Sequence, residues 1–155
     1  MFKTILKYYT KGSDVRNRFY AMKVNGFAYF GMQCGIFRIP EEKNIFDTEA
    51  MMKTLNVDHV PVALVKHFDV PKADDLLGVT DTGITREMYP NEKRSLKVRE
   101  FKDINGGIWY VNDVYYKDFL KPFLYFRVHD RKIYAYDKNH VPLTVVCTIK
   151  PKEDK

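Results

Sequence analysis

Asn17-Arg18-Phe19-Tyr20-Ala21-Met22-Lys23-Val24-Asn25-Gly26-Phe27-Ala28-Tyr29-Phe30 is the stretch whose reading decides the fold class. Asn25-Gly26 is the strongest short hairpin signal, because a tight two-residue turn needs positive φ at positions these two residues tolerate. Its flanks are rich in aromatic and apolar residues that suit a pleated, half-buried surface, so 17–24 and 27–30 read as paired strands. Gly31 and Gly35 around Cys34 then suggest a bulge. A further short strand, Ile36 to Ile39, is closed by Pro40.

Towards the N-terminus, Lys3 to Tyr9 reads as a first strand, joined to the hairpin by a polar loop containing Gly12 and Ser13. Downstream, Asp47 and Thr48 supply N-cap oxygens for a short helix over 49–55, with an acidic start and apolar residues at 51, 52 and 55. Val60 to Phe68 returns to strand character. The segment 69–91 reads as an irregular seam, with one or two helical turns over 71–77 and turn chemistry beyond. Ser95 to Lys102 is a strand with Leu96 and Val98 on one face and Lys97 and Arg99 on the other. Asn105-Gly106-Gly107 turns it into Ile108-Trp109-Tyr110. Asn112 caps a helix over 113–120 that Pro122 limits. Three strands finish the chain: 124–128, 132–137 and 141–149, the last with Val141, Leu143, Val145, Cys147 and Ile149 marking one buried face. The expectation is an α+β fold of antiparallel sheet with two short helices.

At 155 residues the chain suits one domain spanning 1–155, with candidate internal halves 1–68 and 92–150 joined by 69–91. No run approaches the roughly 20 apolar residues of a membrane span. The N-terminus lacks the apolar core and cleavage site of a signal peptide, so a cytoplasmic address and no membrane partner are expected. Cys34 and Cys147 read as small buried hydrophobes in strand-like runs, with a disulfide disfavoured in a reducing compartment.

The formal net charge of +6 is unevenly placed. Residues 1–23 carry six basic and one acidic side chain, residues 41–82 four and nine, and residues 83–155 fifteen and ten. Positive ends around a negative middle are compatible with a polyanion partner.

The two helices align by residue class: Thr48 with Asn112, Glu49 with Asp113, Ala50 with Val114, Met51 with Tyr115, Met52 with Tyr116, Lys53 with Lys117 and Leu55 with Phe119. Each is entered from an apolar pair, Ile45-Phe46 and Trp109-Tyr110, which suggests a duplicated strands, helix, strands unit. Such a unit resembles one domain of the sliding DNA clamps, the ring-forming processivity factors of replicative polymerases. The resemblance rests chiefly on Ile108 to Lys150: a strand entering a capped helix, a hairpin at Asp130-Arg131, and a last strand ending Val145-Val146-Cys147-Thr148-Ile149-Lys150. It implies a clamp-like, oligomer-forming fold whose paired helices offer Lys53, Lys117 and Lys121 to phosphates, because clamp domains surround the duplex without reading bases.

The densest basic cluster is Lys93, Arg94, Lys97, Arg99 and Lys102, with Phe101 and Tyr89 nearby for base stacking. Its alternative is a solvated edge strand protected from sheet-to-sheet pairing by its charges. A second basic set is Lys3, Lys7, Lys11, Arg16 and Arg18. Asp81-Thr82-Gly83 matches the triplet of the aspartic-protease turn, although turn chemistry explains Asp81 more simply. His59, His67, His129 and His140 occur in no metal spacing; His67 and Asp69 would share a strand face. No phosphate-binding glycine loop precedes a helix, so no cofactor or metal is expected. Tyr8, Tyr9, Tyr115, Tyr116, Tyr125, Tyr134 and Tyr136 are candidates for an exposed contact surface. The function expected is a non-catalytic basic module that associates with DNA or RNA irrespective of sequence. The alternative is a protein-binding module or inhibitor working through that tyrosine surface, and a hydrolase at Asp81 comes third.

Overall fold

The computed structural model describes residues 1–11, 18–71, 75–88 and 95–150. It is an α+β fold built on one nine-stranded antiparallel sheet. In chain order the elements are α1 (Phe2–Lys11), β1 (Tyr20–Val24), β2 (Phe27–Met32), β3 (Gly35–Pro40), α2 (Thr48–Thr54), α3 (Ala63–Lys66), β4 (Leu77–Met88), β5 (Leu96–Asp103), β6 (Ile108–Asn112), α4 (Asp113–Tyr115), β7 (Tyr125–His129), β8 (Lys132–Tyr136) and β9 (Pro142–Cys147). A π-helical turn, Tyr116–Leu120, extends α4.

The sheet order β1-β2-β3-β9-β8-β7-β4-β5-β6 is three local meanders laid side by side. The first hairpin forms as its turn chemistry requires, with Asn25 at φ 50° and Gly26 at φ 82°. β3 pairs with β9, so strands from the two candidate halves share one ladder. An isolated antiparallel bridge between Tyr110 and Ile149 ties edge strand β6 to the tail of β9, so this end of the sheet curls back on itself. One face packs a large core that includes Ile5, Phe30, Phe37, Met51, Met52, Phe101, Phe119 and Val146. The other face carries a smaller cluster of Tyr29, Ile36, Leu64, Phe68, Tyr134, Tyr136 and Val145. No helix among the described residues is long and apolar enough to cross a membrane.

The bulge expected around Gly31 and Gly35 is instead a tight hairpin turn, β2 and β3 pairing without a register shift out to Met32–Gly35, and four further segments differ from the sequence reading, each for a local reason. Residues 3–9 belong to helix α1, because Thr4, Ile5, Tyr8 and Tyr9 recur at helical spacing and form its covered face. Within 60–68 the chain folds as α3, whose buried Leu64 and nearby Phe68 cap the smaller cluster. Pro61 has no N–H to give a ladder, and its carbonyl instead accepts from Leu64 N–H at 3.0 Å. The expected seam contains the longest strand, β4; its turn-like residues Thr82, Gly83 and Ile84 form a bulge between the pairs Asp81–Phe101 and Thr85–Arg99. Gly83 lies at φ 79°, where a side chain would be strained. Finally, β9 is buried on both faces, Val145 entering one cluster and Val146 the other, as befits a strand between β3 and β8.

Candidate functional site

Basic segments far apart in sequence are tied to one helical segment through two aspartates. The first is Asp118, in the π-helical turn. Its Oδ2 accepts from Lys7 Nζ at 2.7 Å and from Tyr8 OH at 2.5 Å, and its backbone carbonyl accepts from Thr4 Oγ1 at 3.1 Å. These bonds lay α1 against the turn, with the Tyr8 ring stacked on Phe119 at 5.6 Å. Burial, then the Asp118 hydrogen bond and charge, push the Tyr8 phenol far above its ordinary range, so it remains a donor. Lys3, Lys7 and Lys11 recur every fourth residue along α1 and so form one stripe. That stripe runs beside the turn carrying Lys117, with Lys121 immediately after it.

The next link is Asp113, the first residue of α4, buried at 3 % exposure. Its Oδ2 lies 3.0 Å from Lys117 Nζ and 3.8 Å from Lys97 Nζ, which brings β5 to the helical segment. Asn112 caps the helix through Oδ1 to Val114 N–H at 2.9 Å, as the sequence predicts. Both lysine side chains remain more than half exposed, 61% for Lys97 and 58% for Lys117.

Arg99, two residues along β5 on the same face as Lys97, is differently engaged. Its Nε and Nη2 donate to the two oxygens of Asp81 at 2.7 and 2.8 Å, and its guanidinium sits 4.3 Å from the centre of the Tyr116 ring. Tyr116 OH donates to Asp81 Oδ2 at 2.8 Å, and Gly83 N–H donates to Oδ1 at 3.0 Å. Desolvation pushes the Asp81 carboxyl up, but the bonds from Arg99, Gly83 and Tyr116 together with the Arg99 charge outweigh it and hold the group below the usual carboxylate range. Asp81 is therefore a constitutive anion that braces the β4 bulge. Its closest charged partner is an arginine, whereas the aspartic-protease reaction needs a second carboxylate sharing a proton.

The eight predicted phosphate-binding residues thus separate. Lys97, Arg99, Lys117 and Lys121 gather around α4 and its extension, although Arg99 is matched by Asp81. Lys102 is exposed but alternates to the opposite face of β5, alongside Val98 and Glu100. Lys53 lies elsewhere, on α2, lining a cleft of about 1130 Å³ with Lys23, Glu41, Asp47, Glu49, Asp58 and His59, a net acidic set. Lys93, Arg94 and the stacking candidate Tyr89 lie outside the described residues, as does Arg16. Phe101 is fully buried, so its ring faces the core and not a base. The α1 lysines are not the separate patch expected, and Asp118 is a residue the sequence does not single out; no local signal marks its contact with Lys7 and Tyr8, which lie 111 and 110 positions away.

The tyrosine surface does not form as expected. Tyr116, Tyr134 and Tyr136 are buried, Tyr8, Tyr9 and Tyr115 are half-buried, and of the seven only Tyr125 is exposed. Their rings were absorbed by packing, with Tyr134 OH donating to the His67 carbonyl at 2.7 Å. His67 closes α3 instead of sitting on a strand, and burial followed by the nearby Lys132 charge lowers its pKa. His129 and His140 are exposed, and no cluster of three or more metal-ligating side chains occurs among the described residues. The chain matches no protein-family model, no curated protein sequence and no solved structure.

Proposed function

We propose that the face formed by α1, the α4 extension and β5 binds DNA or RNA through phosphates, without reading sequence and without catalysis. The observation that carries this reading is the junction at Asp118 and Asp113. It ties Lys7 of α1, Lys97 of β5 and Lys117 of the extension to two aspartates, with Lys3 and Lys11 one turn either side of Lys7 on α1 and Lys121 just after the π-helical turn. Lys7 and Lys117 are tethered by those aspartates, and Lys3, Lys11 and Lys121 are exposed. Clustered lysines on rigid elements attract a polyanion by releasing its counterions, and no base-specific contact is required. The face is lysine-rich and mostly helical, which suits backbone contact better than base stacking.

The test is fluorescence anisotropy with labelled duplex and single-stranded DNA at low and high salt. Lys3→Gln/Lys11→Gln/Lys121→Gln neutralises the face while sparing both aspartate bridges. At low salt it is expected to weaken binding by about tenfold or more, whatever the DNA sequence. Lys53→Gln/Lys102→Gln, away from that face, is expected to change affinity less than about twofold. No binding by the wild type at low salt, or equal losses in both variants, would end this reading.

A further inference from the structure

Cys34 and Cys147 are distant in sequence but neighbours in the sheet. The register of β3 against β9 pairs Gly35 with Val146, and one step further sets Cys34 opposite Cys147. The backbone continues that step, since Cys147 N–H donates to the Cys34 carbonyl at 3.0 Å. Opposed residues at a hydrogen-bonded antiparallel position have Cα atoms about 5.5 Å apart. A disulfide accepts about 4.4–6.8 Å. Both thiols are free and only half-buried, because Cys34 occupies the turn between β2 and β3 and Cys147 ends β9. This corrects the expectation of two separate buried hydrophobes.

The two thiols are not equivalent. The Cys147 thiol donates to the Gln33 carbonyl oxygen at 3.8 Å, and the Cys34 thiol is its neighbour. Interaction between the two thiols, then burial, pushes the Cys147 pKa up, and the same interaction lowers that of Cys34 against a smaller opposing effect of burial. Cys34 is therefore the better nucleophile near neutrality, and Cys147 retains its proton until a later step. Lys132, paired across β8 and β9 with Cys147, supplies a cationic neighbour that favours the second thiolate.

We propose that Cys34 and Cys147 form a dithiol site that exchanges with small disulfides of the glutathione class and closes a cross-strand disulfide within one chain. The Cys34 thiolate attacks one sulfur of the small disulfide, whose S–S bond breaks; one small thiolate leaves and a mixed disulfide remains on Cys34. Cys147 then loses its proton, its thiolate attacks Cys34 Sγ, and the second small thiolate departs. Two protein thiols are oxidised, one small disulfide is reduced to two small thiols, and the two protons released from the protein account for theirs. None of these steps uses a lysine of the proposed basic face.

The experiment equilibrates the protein in mixtures of reduced and oxidised glutathione, quenches with acid, alkylates the remaining thiols and reads intact mass and peptide maps. The wild type is expected to lose two hydrogens and link the Cys34 and Cys147 peptides, reversibly with excess reduced glutathione. Cys147→Ser is expected to hold glutathione on Cys34. Cys34→Ser is expected to gain the corresponding adduct on Cys147 at least about fivefold more slowly at pH 7, where an ordinary thiol is only a few per cent ionised. The proposal is overturned if both wild-type cysteines alkylate fully after treatment with oxidised glutathione, if the wild type stops at stable glutathione adducts, or if links form only between chains.

Discussion

Replacing Arg99 by alanine separates two roles that the sequence alone assigns to the same side chain. If Arg99 served chiefly as a phosphate contact, its loss would weaken polyanion binding and leave the fold nearly untouched. The geometry predicts the reverse emphasis. Arg99 makes two charge-assisted bonds to Asp81, and the side chains are only 19% and 21% exposed. Such bonds contribute about 1.5–3 kcal/mol when buried, so the lower end applies here. Stacking on Tyr116 adds about 0.5–1 kcal/mol. Arg99→Ala also leaves Asp81 without its countercharge, giving an expected loss of about 2–3 kcal/mol. With a urea slope of about 2 kcal/mol/M, the unfolding midpoint should fall by about 1–1.5 M. An Asp81→Ala/Arg99→Ala cycle should return a coupling of about 1–2 kcal/mol. The pH dependence has a defined sign. Because the folded state depresses the Asp81 pKa, its stabilisation is present above the unfolded value, near about 3.9, and is lost as pH falls through the folded value. The gap between wild type and Arg99→Ala should therefore narrow below about pH 4. An unchanged midpoint combined with lost DNA binding would refute this assignment.

Asp118→Ala removes the acceptor that ties Lys7 and Tyr8 to the α4 extension, and should cost about 1–2 kcal/mol because the Lys7 bond is solvent-screened. Amide hydrogen exchange should rise throughout α1 and little in β8; unchanged protection of α1 would contradict its docking through this residue. Phe119 stacks on Phe37 at 4.5 Å and meets Tyr8 and Tyr115, so Phe119→Ala should cost about 3–5 kcal/mol in urea unfolding, and a loss below about 1 kcal/mol would show that these rings can repack. A Cβ at Gly35 would lie 2.9 Å from the Phe119 ring, so Gly35→Ala should destabilise wild type more than a Phe119→Leu background; equal effects would refute the contact. The Asp103 carboxyl is held below its usual range first by Trp109 Nε1–H at 2.9 Å and then by the amides of Gly107 and Asn105. Its contribution is present above the unfolded pKa and disappears as pH falls through the lower folded one, so Trp109 fluorescence should step in that acid range and lose the step in Asp103→Asn.

What was legible in the sequence was mostly local. Asn25-Gly26 specifies its hairpin through backbone φ, and Asp47 and Asn112 cap the helices that follow them, because each signal acts within a few residues. Short apolar segments were less decisive. Residues 3–9 fit alternation and helical spacing almost equally, and tertiary packing of Ile5, Tyr8 and Tyr9 selects the helix. Thr82-Gly83 looks like a turn because a bulge and a turn demand the same backbone freedom. The basic face and the cysteine pair depend on contacts between opposite ends of the chain. Lys7 gives no hint of Asp118, and Cys34 none of Cys147, until α1 docks and β3 meets β9. The two candidate halves and their clamp-like likeness likewise concern relations across the whole chain, which the class-matched residues of two short helices do not determine.

The most direct test of the proposed polyanion-binding face is the slope of log binding constant against log salt concentration for one labelled duplex. Engagement of four or five phosphates by the six lysines predicts a slope of about −4 for the wild type. Lys3→Gln/Lys11→Gln/Lys121→Gln should make it shallower by about 2–3, while Lys53→Gln/Lys102→Gln should leave it in place. A wild-type slope near zero, or one that the first variant preserves, would contradict the account.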